Sequence, residues 1–525
     1  MEKKKLTAVL NWMIPWFAAA IAIYVLFIPP RPGVADQGDF QRIMDISGLQ
    51  ETESSLAEPE FRFYQYVKAE YNMTSVNPLH FLVSSSLFYP VLLAKSICKM
   101  VGFATFNTGI LAVVYVFLYI AVIIICLRWI GIKRSPTYIF ASFAALAVLL
   151  DGNYLIWFNS LYGEPMMIIS LILLAASILY VIQQETIDKK IILMLFISSF
   201  LFLCSKAQCI TALPFVAFML VRLILYLKES VESNEGIRLK MPPHTAIEAS
   251  LRPARVAWAS SKRPGKSSTR NTGPYLILKL AIPLILLFAC TMGFFSQQNK
   301  TCGVDTKYNA VFYGILKNSE EPQRDLEMLG LSGDLAVEAG KHAYLPHNEY
   351  ARYVPWSEIT QTEFNDKISN FKLIWFYLLN PQRLINGMKY TASQSFQTGT
   401  FLGKYEKKDV PEYTYNFNRF TFWSDFRSTV FPKKLWFIVL AYLAAIIVSV
   451  IEFRRRRQDS QSRLRIELLW MIMAIGAFQF PMPFIGNGEA DTAKQLFLFN
   501  FTFDILVIIA CIWAFNKLFF SNIEV

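Results

Sequence analysis

The sequence predicts an all-α polytopic membrane protein, with about ten transmembrane helices and amphipathic helices at the outer face. Of its 525 residues, 54% are hydrophobic and only 17% are charged, which is too apolar for a soluble protein of this size. The net charge of +12 comes from lysines and arginines that lie mostly in short connections between apolar runs. This arrangement indicates membrane topology and does not indicate a nucleic-acid partner.

Ten apolar runs approach the length of about 20 residues that a helix needs to cross a hydrocarbon core about 30 Å thick. The predicted spans are 7–28, 107–128, 136–152, 165–183, 189–205, 209–227, 273–294, 434–452, 466–484 and 497–516. Pro29, Pro30 and Arg31 follow the first run where a signal peptide would carry small residues, so we expect a retained helix. The seven cysteines form no CxxC pair and are interpreted as small apolar fillers.

The basic clusters between the predicted spans alternate onto one side of the membrane, which the positive-inside rule assigns to the cytoplasm. They are 1–5, 128–134, 189–190, 454–457 and Lys517. Both termini and a flexible linker at 228–272 are then cytoplasmic. The chain divides into a first module 1–294 with its outer loop 29–106, an outer region 295–433 and the C-terminal helices 434–525.

The two long outer segments contain amphipathic stretches that we expect to lie on the membrane surface. These are 79–101 in the first outer loop and 371–379 and 381–396 in the second outer region. The stretch 79–101 is interpreted as a surface helix and not as an eleventh span. Counting it as a span would place Lys133 and Arg134 outside the cell and break the alternation of charge.

Two carboxylates and a guanidinium stand directly after the first span, in the run Asp36-Gln-Gly-Asp39-Phe-Gln-Arg42. A carboxylate near a low-dielectric boundary can have its pKa raised toward neutrality, which suits it to act as a general base. Asp36 and Asp39 are therefore the candidate catalytic residues, and the choice of base between them is open. The alternative is a solvated loop in which an aspartate caps a helix that begins near Phe40.

Two further polar stretches are predicted at the outer ends of apolar runs. Glu164 with Pro165 follows the third span, where a carboxylate and a proline also suit an ordinary helix start. Lys206 interrupts the fifth and sixth spans, against the usual bias of basic residues toward the inside. Its ammonium can hold a phosphate, and extension of the side chain to the outer headgroups is the alternative.

The loop 481–495 between the last two spans is the most polar of the short outer loops. Glu489, Asp491 and Lys494 suit a sugar or metal site there, or a cap for the last span with Asp491 at its start. All of these loops are predicted at one membrane face, so acids and cations far apart in the chain are expected to form one pocket. Few ionisable groups fall in the middle of spans, where a transport path would need them at roughly 2.5–3.5 kcal/mol each.

Four of these motifs resemble the WsfD-like hexose transferases of bacterial surface glycans. They are Asp36-Gln-Gly-Asp39-Phe-Gln-Arg42, Asn159-Ser-Leu-Tyr162-Gly-Glu164-Pro165, Lys206-Ala-Gln208 and Glu489-Ala-Asp-Thr-Ala-Lys494-Gln495-Leu-Phe-Leu. The layout is similar to multi-spanning glycosyltransferases of the GT-C type, which carry acidic catalytic residues in the first outer loop. That resemblance covers most of the chain, apart from 228–270 and 302–363, and implies surface helices at 40–44, 61–71 and 79–100.

The resemblance implies transfer of a sugar from a polyprenyl-phosphate carrier to a hydroxyl of a glycan or cell-wall polymer, at the outer face of a bacterial cytoplasmic membrane. Asp36 or Asp39 would remove the acceptor proton, and cationic side chains would stabilise the departing lipid phosphate. A divalent metal ion is left open as a cofactor. The implied substrate-binding residues are Arg42, Asn159, Tyr162, Glu164, Lys206, Gln208, Glu489, Asp491, Lys494 and Gln495.

Two other functions are open from the sequence. A flippase or transporter of lipid-linked glycans is expected to show an internal repeat with helices broken at mid-membrane, and the sequence has no clear repeat. A non-catalytic partner in envelope assembly would use its outer loops only for binding. Loss of transfer in mutants of the outer acids that still assemble would separate an enzyme from a scaffold.

Overall fold

The computed structural model describes residues 2–52, 64–76, 85–132, 134–184, 188–240 and 272–520, without the side chains of 2–12, 230–240, 272–281 and 299–302. A helix lies at each of the ten predicted spans. These helices are Glu2–Leu26, Thr108–Trp129, Ser135–Leu149, Glu164–Ile182, Lys189–Leu203, Leu213–Lys240, Thr272–Tyr308, Leu435–Arg455, Ser460–Gln479 and Phe497–Phe520. The predicted helical polytopic membrane fold is confirmed.

The ten helices differ in their capacity to cross a bilayer. Among the described residues, six helices are long and apolar enough, and Ser135–Leu149 with Gly152–Asn159 forms a seventh span if this pair, bent by 54°, is counted as one. Met13–Leu26 and Ile282–Gln298 are shorter apolar helices, and Lys189–Leu203 has 15 residues. Helices therefore occur at the expected positions. Among the described residues, only six or seven of them reach the length that the hydrocarbon core requires.

The first outer loop contains a small sheet between two helices. The elements are the helix Gln41–Ser47, the strands Leu49–Gln50, Glu70–Met73 and Thr105–Asn107, and the helix Phe88–Val101. The middle strand pairs antiparallel with both others. The helix expected at 61–71 is wrong in its described part, because Glu70 to Met73 alternates polar and apolar residues with the period of a strand. Residues 61–63 lie outside the described part of the chain.

The helix Phe88–Val101 lies where a surface helix was expected, and its 14 residues are too few to span a bilayer. Residues 79–84 of the expected helix lie outside the described residues. Lys95 is 3% exposed and donates hydrogen bonds to the carbonyls of Ser47, Gly48 and Thr74 at 2.7, 2.8 and 2.8 Å. This lysine therefore binds the helix to the backbone around the sheet and does not extend into solvent.

The second outer region is a series of short helices. They are Asn309–Ile315, Pro322–Met328, Gly333–Glu338, His347–Glu349, Glu358–Thr360, Gln361–Asn365, Asn370–Leu379, Pro381–Ser393, Lys407–Asp409 and Phe422–Val430. The surface helices expected at 371–379 and 381–396 are among them. Phe371, Trp375 and Leu378 are exposed on one face of the first, which is typical of a helix that lies in a membrane interface.

The linker expected at 228–272 begins as helix, because Leu213–Lys240 continues through its first residues. Residues 241–271 lie outside the described part of the chain.

A buried ion pair attaches the second outer region to the last helix. Arg427 of Phe422–Val430 and Asp504 of Phe497–Phe520 pair with both side chains 0% exposed. The hydroxyl of Tyr154 donates to Asp504 at 2.6 Å and accepts from Arg427 at 2.7 Å. Three distant parts of the chain are therefore fixed to one another by these side chains.

Candidate active site

Two buried side chains hold the loop that carries Asp36. The Asn159 amide donates to the carbonyls of Leu26 and Pro32 at 3.1 and 2.8 Å. The Tyr162 hydroxyl donates to the carbonyl of Ala35 at 3.0 Å and accepts from the backbone N–H of Gln37 at 3.0 Å. Both residues were predicted to bind substrate, and in the structure both position the loop.

An extended segment, 403–405, supports the same loop from behind. It forms backbone hydrogen bonds of 2.8 and 3.0 Å to 33–35 on one side, and of 2.8 and 2.9 Å to 64–67 on the other. A Cβ atom on Gly403 would lie 1.7 Å from the carbonyl oxygen of Gln65, so only glycine fits this close approach. The second outer region thus fixes the position of the candidate catalytic loop.

Asp36 has the properties expected of a general base. Its Oδ1 accepts the backbone N–H groups of Gly38 and Phe40 at 2.8 and 3.2 Å, just before the helix Gln41–Ser47. Burial and repulsion by Asp39 raise the pKa of Asp36 to about 6, although the two N–H groups act in the opposite direction. The carboxyl is therefore held in one orientation and titrates close to neutrality, which suits proton transfer. A local capping role and a catalytic role are compatible in this residue.

Asp39 has the opposite character. It forms ion pairs with Lys494 and, at 2.9 Å, with Arg42. Burial raises the pKa of Asp39, but attraction to Lys494, Arg42 and Lys206 outweighs this and holds the pKa well below its usual range. Asp39 is therefore ionised throughout the physiological range and serves as an electrostatic partner, which makes Asp36 the better candidate base.

The last outer loop contacts the first through Gln37. The Gln37 amide donates to Asp491 at 2.6 Å and its oxygen accepts from Lys494 at 2.9 Å. Burial lowers the pKa of Lys494, but Asp39, Asp491 and Glu164 outweigh it and raise the pKa above its usual value. The alternative in which Asp491 caps the last span is wrong, because this residue has a φ of 52° and its side chain forms no cap hydrogen bond. Its carboxylate bonds instead to the first outer loop.

Glu164 and Lys206 form an ion pair beside the start of Glu164–Ile182 and the end of Lys189–Leu203. Glu164 is 0% exposed and Lys206 is 22% exposed. Oε2 of Glu164 is buried and has no hydrogen-bond partner among the described residues, which is uncommon for a buried carboxylate oxygen. The charge of Lys206 acts on Asp39 and that of Glu164 on Lys494, so this pair belongs to the same cluster.

Asp305 joins the cluster from the end of the helix Thr272–Tyr308. Burial raises the pKa of Asp305 to about 6, with Asp39 acting in the same direction and with Trp356 and Arg42 opposing it. Sequence reasoning missed this residue, because it lies in the outer segment to which no family motif was assigned. Its position shortly after the apolar part of a helix, like that of Asp36, is the signal that could have identified it.

The family model described as YfdI N-terminal transmembrane domain matches residues 2–524. The chain belongs to this family. YfdI is a GT-C-like glycosyltransferase family, which agrees with the helical membrane fold and with acids in the first outer loop. Neither the curated proteins nor the solved structures contain a match.

Two predicted residues of this YfdI-family chain have hydrogen-bond partners outside the carboxylate cluster. Glu489 of the last outer loop accepts a hydrogen bond at 2.5 Å from Lys317 of the second outer region. Gln208 donates to Gln479 at 3.1 Å and thereby joins two spanning segments. Gln495 is partly buried at the end of the adjacent short helix. The structure therefore gives the first two residues partners outside the cluster, and their proposed contact with substrate stays a prediction.

The YfdI-family site is rich in acids. When all groups are charged, its carboxylates outnumber its cations, and this excess of negative charge favours a substrate carbon that becomes positive during the reaction. Within the described residues, no group of three or more His, Cys, Asp and Glu side chains is placed to hold a metal ion. The carboxylates are Asp36, Asp39, Glu164, Asp305 and Asp491, and the cations are Arg42, Lys206 and Lys494.

Proposed function

We propose that the chain is a membrane glycosyltransferase, which moves a sugar from a polyprenyl-phosphate-linked donor to a hydroxyl of a cell-surface glycan or polymer. The observation that carries the proposal is the difference in pKa between two neighbouring aspartates of the first outer loop. Asp36 titrates near neutrality, while Asp39 is held ionised by Lys494 from the other end of the chain. Membership of a GT-C-like family and the resemblance to WsfD-like hexose transferases support the same conclusion.

In the proposed reaction, Asp36 accepts the proton of the acceptor hydroxyl as its oxygen attacks the anomeric carbon. The bond between that carbon and the phosphate oxygen breaks, and the polyprenyl phosphate leaves with the electron pair. Lys206 and Arg42 provide charge-assisted hydrogen bonds to the departing phosphate, and both are partly exposed. The acids around the sugar stabilise the oxocarbenium-like transition state.

The proposed orientation places this site outside a bacterial cytoplasmic membrane and both termini inside. The basic clusters at 128–134, 189–190 and 454–457 support it, because they fall on the side opposite to the acidic loops. A lipid-linked donor suits this location, since its chain stays in the bilayer while its phosphate and sugar reach the polar cluster at the helix ends. Labelling of single cysteines placed at Lys206 and Arg454 tests the assignment and should find them on opposite sides.

Incubation of the purified protein with a panel of polyprenyl-phosphate sugars tests the proposed activity, with free polyprenyl phosphate as the readout. The parent protein should release it, and Asp36→Asn should not. Asp45→Asn is the matched control, because Asp45 lies in the next helix and its exposed carboxylate accepts only from Gln41 among the described hydrogen bonds, at 2.5 Å. Equal release of polyprenyl phosphate by the parent and by Asp36→Asn would show that Asp36 is not the base.

A flippase for lipid-linked glycans is the second candidate, and the pair Ser135–Leu149 with Gly152–Asn159 favours it, because broken helices are common in transporters. Asn159 at the end of this pair is occupied in holding the catalytic loop, which favours a structural role for the break. Sugar transfer by protein in detergent, where no two compartments exist, would decide for the enzyme.

A further inference from the structure

Three aromatic side chains form an exposed cluster in the second outer region. Phe401 is 79% exposed, Tyr415 is 45% exposed and Tyr413 is 39% exposed. The ring centroids of Phe401 and Tyr415 lie 5.4 Å apart, and those of Tyr413 and Tyr415 lie 6.2 Å apart. Aromatic side chains gain much from burial, and a group of them left open together is typical of a binding surface.

The backbone around this aromatic cluster is fixed before any ligand arrives. The Tyr413 hydroxyl donates a hydrogen bond to the carbonyl of Phe401. The backbone N–H of Lys404 donates to the carbonyl of Thr414 at 3.1 Å, between the two tyrosines. Leu402 is buried in the main hydrophobic core, directly after the exposed ring of Phe401. A surface that is ordered in advance loses little conformational entropy when a ligand packs against it.

Hydrogen bonds place the aromatic cluster beside the candidate base. The N–H of Gly33 donates to the carbonyl of Lys404 at 2.8 Å, and that of Ala35 donates to the carbonyl of Gly403 at 3.0 Å. The partner goes back by one residue as the first loop advances, so the two segments run in opposite directions. The chain before Gly403 therefore runs alongside the candidate base, which follows Ala35. Phe401 is two residues away, or about 7 Å of extended chain.

The chain between Phe401 and Tyr413 is rich in charge. Its exposed charged side chains are Lys407, Lys408, Asp409 and Glu412. Charged groups, carboxylates included, are costly to transfer into lipid. The segment therefore suits contact with a ligand that arrives from water, and insertion of its rings among lipid chains is disfavoured.

A sugar has the surface that such a cluster recognises. One face of a pyranose consists of C–H groups, and packing this face on an aromatic ring removes apolar surface of both partners from water. Hydroxyls around the edge of the sugar can bond to phenol groups and to charged side chains nearby. Three neighbouring rings offer this contact to more than one unit of a glycan chain.

We propose that Phe401, Tyr413 and Tyr415 form a binding subsite for the acceptor glycan. Sugar units of the acceptor pack their C–H faces on these rings, and the glycan continues from there to Asp36, which takes the proton of the reacting hydroxyl. The word acceptor rests on the proposed function, whereas binding of a sugar to the aromatic cluster does not.

Ligand-detected NMR with the purified protein in lipid nanodiscs tests the subsite directly, with the methyl pyranosides of glucose, galactose, mannose and rhamnose as probes. We expect saturation transfer from the protein to the C–H protons of one sugar face for at least one probe. Phe401→Ala should weaken binding of that probe by about tenfold, the loss expected for a stacked aromatic contact. Phe401→Trp keeps a ring and should retain binding. Glycerol, which has hydroxyls but no ring face, should give no signal that depends on Phe401.

Two matched controls separate the subsite from a general effect of removing an exposed ring. Phe422→Ala removes a ring that is 74% exposed in the same outer region, at the start of the helix Phe422–Val430. Phe371→Ala removes a ring that is 72% exposed on the helix Asn370–Leu379, which is expected at the membrane surface. Both variants should bind the probe as the parent does, and equal Tm values would show that all these variants fold alike.

The kinetic form of the test uses the probe that binds as a surrogate acceptor. Phe401→Ala should raise the KM for this acceptor about tenfold and leave the KM for the lipid-linked donor unchanged. The inference is overturned if no probe binds the parent protein or if Phe401→Ala binds normally. A rise in the donor KM instead would also overturn it, because this is the result for a ring that packs among lipid headgroups. Failure of the proposed function is seen separately, as sugar binding that depends on Phe401 without release of polyprenyl phosphate.

Discussion

Lys494 forms an ion pair with Asp39, although 455 positions of the chain separate the two residues. The Lys494 side chain is 10% exposed, whereas Arg42, which pairs with the same carboxylate, is 38% exposed. Asp39 thus pairs with one mostly buried cation, Lys494, and one exposed cation, Arg42. The two pairs can be compared by substitution within a single site.

Lys494→Met should destabilise the protein far more than Arg42→Met. Removing the buried cation leaves Asp39 without its main partner, and breaking a buried pair costs roughly 3–5 kcal/mol. The exposed pair is screened by water, and its loss costs about 1 kcal/mol or less. Thermal unfolding in detergent measures the difference, and equal shifts of Tm in the two variants would show that the assigned burial is wrong. Lys494→Arg, which keeps the charge, serves as the control.

The rate of sugar transfer should rise with pH up to about 6 and then level off. The reason is that Asp36 must lose its proton to act as a base, and its pKa is raised to about 6. Asp36→Asn should lower the rate by about 10²–10⁴ and remove this pH dependence. Between pH 5 and pH 7 the rate of the parent enzyme should rise roughly tenfold. An unchanged rate over this range would contradict the role of Asp36.

The same raised pKa predicts an effect of pH on stability. A carboxyl whose folded pKa lies above its unfolded value stabilises the fold below the unfolded pKa, near 3.8, and loses this contribution as the pH rises through about 6. An asparagine in place of Asp36 stays neutral and can still accept the two backbone N–H groups. Asp36→Asn should therefore have the higher Tm above pH 6, and its advantage should shrink as the pH falls, in a series of thermal melts.

The positions of the helices could be predicted from the sequence, because a run of apolar residues is a local property. The secondary structure of the outer segments was harder to predict from the sequence. The stretch 61–71 was expected to be helical, yet Glu70–Met73 forms a strand whose partners at Leu49–Gln50 and Thr105–Asn107 are supplied by distant parts of the loop. Pairing partners of this kind leave little signal in a single short segment.

The candidate site was predicted in part for a similar reason. Asp36 and Asp39 could be selected as acids beside a membrane, but the choice between them depends on Lys494, which arrives from the last outer loop. Asp305 carries no local motif and becomes notable only through its unpaired oxygen and its nearness to Asp39 and Arg42. Residue types were visible in the sequence, whereas their charge partners were not.

Gly403→Ala should reduce transfer strongly and lower Tm. A Cβ atom at this position would lie 1.7 Å from the Gln65 carbonyl oxygen, so the segment 403–405 would have to separate from the loop that carries Asp36. Gly399→Ala is the matched control, because nothing lies within 4 Å of the Cβ that it would add. Activity and melting should stay at the parent level in the control, and similar losses in both variants would contradict the assigned packing.

Arg427→Leu and Asp504→Leu should each destabilise the protein by roughly 3–5 kcal/mol, because each leaves an uncompensated charge in the interior. The double variant Arg427→Met with Asp504→Leu should recover much of this loss, since a buried pair can be replaced by apolar side chains of similar volume. A double-mutant cycle of Tm values measures the recovery. Additive losses in the double variant would show that the two residues do not act as a pair.

The contact between Gln37 and the last outer loop has a consequence for the order of events during synthesis of the protein. Gln37 leaves the ribosome early, whereas Asp491 and Lys494 emerge more than 450 residues later, ahead of the helix Phe497–Phe520. The chain must therefore be translated at least as far as Lys494 before the first and last outer loops can meet. A chain that stops earlier carries the acidic residues of the first outer loop but lacks the lysine that pairs with Asp39.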